Sequence, residues 1–186
     1  MWQWLHDLSS GQATFLGWVV GFVTLVGGAL LNSWLNRKRD DWLRREDQRA
    51  VATALRAELV TLSLSINSNC ETLKKEGYLK PDEGFVTPDY SHSVRIMPEM
   101  VPKLGLLDQE TTESVVDAYV ALEGFYERLI LVGGRLEQHL TAPNGHRRLV
   151  AFPTCKAPSV AAMNSSLLDE IQKAIAKLDA FLARIG

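Results

Sequence analysis

A chain of 186 residues that is 46% apolar, 23% charged and carries a net charge of −2 has the profile of a folded domain, which excludes a disordered, collagenous or disulfide-built protein. The averages hide an asymmetry, because all five tryptophans lie within the first 42 residues. Residues 1–36 carry only Asp7, residues 37–49 carry six Lys/Arg against four Asp/Glu, and residues 50–186 carry fourteen against seventeen. No segment is basic enough to mark a nucleic-acid surface, so nucleic acid is not an expected partner.

After a short N-terminus over residues 1–12, the stretch Ala13 to Leu35 is free of ionisable groups and long enough to cross a hydrocarbon layer that needs about 20 residues. A secretory signal peptide would carry a positive leader and a shorter apolar core, whereas the residues before this stretch include no Lys or Arg. Trp2, Trp4, Trp34 and Trp42 flank it, where indoles favour a membrane interface. A transmembrane helix is therefore expected over 13–36. Arg37, Lys38, Arg39, Arg44 and Arg45 follow immediately, and the positive-inside rule puts them and the rest of the chain on the cytoplasmic side. The same cations form a candidate headgroup site or the inner mouth of a ring of subunits. The expected location is the inner (cytoplasmic) membrane, single-pass, with the N-terminus outside.

Within the span, Ala13, Gly17, Gly21, Thr24, Gly28 and Asn32 recur at spacings of 4, 4, 3, 4 and 4. At about 100° per residue they share an arc of about 100°. Small residues on one stripe let helix backbones approach closely, and Gly17 and Gly21 form a GxxxG pair. This stripe is the candidate packing or lumen face of a homo-oligomer, with the Asn32 amide expected to seek a seam or an aqueous path rather than lipid.

Beyond the span, residues 37–76 contain no proline or glycine and predict one long helix running on from the membrane. Leu55, Leu59, Leu62, Ile66 and Leu73 form its narrow apolar seam, with Asn69 at the skipped position or at the edge of the stripe. Residues 77–106 hold four prolines, which predicts an irregular insert with a helical turn over Pro98 to Lys103. Over 107–186, Asp108 is expected to cap a helix through Ile130, Gly133-Gly134 to kink it before a further helical piece from Arg135 to Leu140, and Ser159 to cap the last helix. Asn144-Gly145 is a turn signal for a small hairpin. The expected fold is all-α: a single span continuing into a cytosolic antiparallel helical bundle with a Pro-rich insert.

Cys70 and Cys155, 85 positions apart, are expected to be reduced thiols. The spacing of His139, His146 and Cys155 matches no zinc pattern, and no nucleophile elbow, phosphate loop, dinucleotide fingerprint or zinc-protease helix is present, so no catalytic residue, metal or cofactor is expected. The run from Arg135 to His139 resembles the R-x4-6-H signature of HEPN ribonucleases, helical bundles in which an arginine and a histidine cleave RNA. The gap here is three residues, and Leu136 stands where a polar residue usually follows the arginine. In layout alone the chain is similar to the membrane accessory proteins of RNA-targeting CRISPR systems, which join a span to a helical domain and assemble into pores. The function expected from these features is a non-enzymatic membrane protein that homo-oligomerises as a pore or effector. A tether for a cytosolic partner and a membrane-anchored RNase using Arg135 and His139 are the alternatives.

Overall fold

A computed structural model describes residues 10–75, 84–142 and 145–186, with the side chains of 10–14, 16, 92 and 136–148 outside that description. The N-terminal tryptophans Trp2 and Trp4, the start of the insert and Asn144 of the turn signal lie outside the described residues. The chain divides into two compact units, Met1–Glu46 and Asp47–Gly186. It is mostly helical, and no proline interrupts α1, which runs from Ser10 to Lys74 and contributes to both units.

The second unit has one apolar core. From α1 it takes Val51, Leu55, Leu59, Leu62 and Ile66, and Cys70 occupies the next seam position, which leaves Asn69 at the edge of the stripe. Asn69 is half-buried instead and donates to Thr87 Oγ1 at 2.6 Å, so it ties α1 to the strand that follows. Burial pushes the Cys70 thiol up, and both Cys70 and the exposed Cys155 are free.

The Pro-rich insert contains strand β1 (Phe85–Pro88), the short helix α2 (Met97–Met100) and a 3-10 segment (Val101–Leu106), in keeping with the helical turn expected from Pro98. Helix α3 (Gln109–Glu123) begins where Asp108 accepts from the Thr111 amide at 2.8 Å, the cap expected from sequence. Partial burial acts to raise the Asp108 pKa, but the Thr111 hydrogen bonds and Arg184 hold it below the usual carboxylate range. The expected single helix through Ile130 is interrupted at Gly124, after which α4 covers Phe125–Leu131.

The helical piece expected over Arg135 to Leu140 is a strand. Gly133 adopts φ +105°, its amide donates to Ile130 and the Gly134 amide donates to Leu129, both at 3.0 Å. This pair of bonds closes the last turn of α4, and the left-handed residue turns the chain out of the helix instead of kinking it. Strand β2 (Arg135–Ala142) then pairs with β3 (Gly145–Phe152), a much longer hairpin than the turn signal suggests. β1 pairs with the other edge of β3, giving the antiparallel order β1-β3-β2, with Phe85 opposite Phe152 and their rings stacked at 5.4 Å. The expectation of an all-α protein is corrected to this extent: cross-strand pairing supplies β1, β2 and β3 with hydrogen-bond partners that local periodicity does not reveal.

Helix α5 (Ala157–Ile185) starts before Ser159, which is therefore not its cap; Pro158 in the first turn marks the helix start, where a missing N–H costs nothing. Its buried face comprises Val160, Asn164, Leu167, Ile171, Ala174, Leu178 and Phe181. It meets α1 through Arg56 and Asp179, and α3 through Glu110 with Lys177 and Asp108 with Arg184. Asn164 stands out on this face because it is completely buried while neither amide atom has a hydrogen-bond partner among the described residues. An unsatisfied buried polar group costs about 1–3 kcal/mol. Asn164→Leu, similar in size, is expected to stabilise the protein by about 1–2 kcal/mol on that scale. A higher melting temperature by circular dichroism would bear this out, whereas a lower one would show that the amide is bonded in solution.

Candidate functional site

The stripe residues lie on the part of α1 that belongs to the first unit, Ala13 by its backbone only. A window of 18 residues in α1 is apolar enough to cross a membrane, and none of it is buried among the described residues. A core helix of comparable composition would be mostly covered. Here Trp18 is 78% and Leu25 72% exposed, and Phe15, Val20, Phe22, Val23, Leu30 and Leu31 are exposed with them.

Gly17, Gly21 and Gly28 of the stripe, and Gly27 beside it, have open space where a Cβ would stand. Each glycine inside a helix costs about 1 kcal/mol relative to alanine. Among the described residues nothing requires that cost, since no neighbouring atom approaches these positions. Gly17 and Gly21 form the floor of a shallow concavity walled by Trp18, Phe22 and Leu25. Thr24 donates its hydroxyl to the Val20 carbonyl at 2.8 Å, so it adds little polarity to the stripe. Asn32 is exposed towards the end of the same stripe.

Past the apolar stretch, the Lys38 ammonium lies 4.6 Å from the Trp34 ring centroid. Trp34 and Trp42 are both exposed, and so are Arg37, Arg39, Arg44 and Arg45. Aromatic rings interleaved with cations are the side chains suited to a headgroup layer, where indole and ammonium both find polar partners.

Arg135 and His139 are both on β2, not on a helix, which removes the helical setting that the ribonuclease resemblance implies. Arg135 is exposed and paired in register with Ala151, and His139 is paired with Arg148, with an irregularity between Leu136 and Gln138. The His139 side chain lies outside the described residues. Among the described residues, no group of three His, Cys, Asp or Glu side chains is placed to hold a metal ion.

One polar centre in the second unit has no signal in the sequence. Glu58, only 8% exposed, sits beside the apolar seam of α1. Its Oε1 accepts from the amides of Arg95 at 2.6 Å and Ile96 at 2.7 Å, and its Oε2 accepts from Met97 at 3.2 Å and from the Tyr119 hydroxyl at 2.7 Å. Burial, reinforced by the hydrogen bond and charge of Glu58, pushes the Tyr119 phenol far above its usual range, which keeps it a donor. A lone Glu in a Leu-rich helix ordinarily reads as a solvent-facing residue, and its partners come from segments that local periodicity does not link to it.

Comparison with protein-family models, with curated proteins and with solved structures gives no match for this chain.

Proposed function

We propose that the chain is a non-enzymatic, single-pass inner-membrane protein, with its N-terminus outside and its C-terminal domain cytoplasmic. It homo-oligomerises through the stripe of Gly17, Gly21, Thr24, Gly28 and Asn32, assisted by the helical domain, and acts at the membrane as a pore or effector. The observation that carries this reading is the set of open glycines. Their cost in helix stability finds no return among the described residues, and close approach of a second apolar helix is the return that such residues provide in lipid. Orientation rests on the cations from Arg37 to Arg45, which follow the apolar stretch.

The test is the mass of the full-length protein in detergent by light scattering, with dye leakage from proteoliposomes measured on the same preparation. A defined oligomer that leaks dye is expected, and Gly17→Leu with Gly21→Leu should convert it to monomer and abolish the leak. A wild-type monomer would overturn the oligomer. An oligomer indifferent to both leucines would remove the stripe from its interface.

A further inference from the structure

The segment 94–106 of the second unit is held in an unusual way. Neither α2 nor the 3-10 segment after it contributes a buried residue, although Ile96, Met97, Met100, Leu104 and Leu106 rest half-covered on the core. What fastens it is polar and concentrated at its ends. At one end, three consecutive amides, those of Arg95, Ile96 and Met97, converge on the single carboxylate of Glu58. At the other, Gln48 donates to the Leu106 carbonyl at 2.9 Å, and Thr112 donates to that of Leu104 at 3.3 Å.

We propose that residues 94–106 form a detachable strap latched by the Glu58 carboxylate, opening as one unit while α3, α5 and the core part of α1 stay packed. The physical basis is the division between burial and latch. The completely buried residues Leu55, Leu59, Val115, Leu122, Leu167 and Ile171 all lie outside the strap, so its release leaves the central core intact. The three amide bonds share one acceptor and are lost together, which makes release a single step. Tyr119 fixes the carboxylate from α3, so the latch is preorganised by the core rather than by the strap. Release uncovers the apolar underside of Ile96, Met97, Met100 and Leu104, and so converts a closed surface into an adhesive one. Segments with few buried contacts open at lower free energy than the global transition. The inference concerns the second unit alone and does not depend on the membrane reading.

Hydrogen exchange by mass spectrometry on the full-length protein in detergent tests it. In the wild type, amides 95–106 are expected to exchange at least about tenfold faster than those of α3 and α5. Glu58→Gln, which turns an NH2 towards the donors, should accelerate the strap by a further factor of about ten, with α3 and α5 unchanged. Tyr119→Phe should accelerate it less. Strap amides that exchange in step with α3 and α5 in the wild type would overturn the proposal. Acceleration of all three regions together in Glu58→Gln would do the same, by showing the carboxylate to be part of the core.

Discussion

Val23→Arg combined with Leu25→Arg is expected to release the full-length protein from carbonate-washed membranes. Both positions are exposed on α1 and belong to the first unit, so the change acts on the solvent of the helix. On the insertion scale each arginine at the centre of a span costs about 2.5–3.5 kcal/mol, against about 0.3–0.6 kcal/mol gained per Leu, Ile, Phe or Val. The pair therefore costs about 5–7 kcal/mol, enough to cancel the gain from roughly a dozen such apolar residues. Val23→Leu with Leu25→Val, which preserves apolarity, should leave the protein in the pellet. Retention of the double arginine variant in the washed membrane would mean that attachment does not depend on this helix, and would sink the span.

Among the glycines described in the second unit, Gly134 is expected to tolerate a methyl least, which Gly134→Ala tests. The new Cβ would stand 2.5 Å from Val150 Cγ1, 2.6 Å from Phe152 Cζ and 2.8 Å from the Leu129 carbonyl oxygen. Val150 and Phe152 are buried in β3, and the carbonyl accepts the Gly134 amide itself in the turn that ends α4, so none of the three has room to yield. Overpacking of this kind costs about 3 kcal/mol. For a chain of this size the melting temperature should fall by about 10 °C. Gly27→Ala, placed in open space beside the stripe, supplies the contrast and should be neutral to slightly stabilising. Equal effects at the two positions would mean that the approach of β3 to Gly134 is not maintained in solution.

These two glycine settings show what a sequence conveys. Gly17, Gly21 and Gly28 are interpretable from spacing alone, because a stripe is a property of one helix and needs no partner to be seen. Gly133 and Gly134 are visible as a break, but whether a break kinks a helix or ends it depends on what the next residues pair with. Here β3 pairs with Arg135–Ala142, and the reading of a further helical piece, with the ribonuclease-like pair upon it, fails for that reason. The Asp108 cap was legible because its acceptor and donor are three residues apart. Ser159 is not a cap because α5 already begins at Ala157, with Pro158 in its first turn.

The amino-acid sequence by itself determined the apolar stretch, the cations that follow it, the small-residue stripe, the long helices and the capped start of α3 at Asp108. Each of these depends on contiguous or periodic residues, and backbone geometry translates such patterns directly into a face or a terminus. Only the tertiary structure decided the three-stranded sheet, the burial of Asn164 and the latch at Glu58. Glu58 meets Tyr119 across 61 residues of chain and Asn69 meets Thr87 across 18. A carboxylate or an amide in a helix carries no local mark of the partner it will find, since that partner arrives only when separate segments pack.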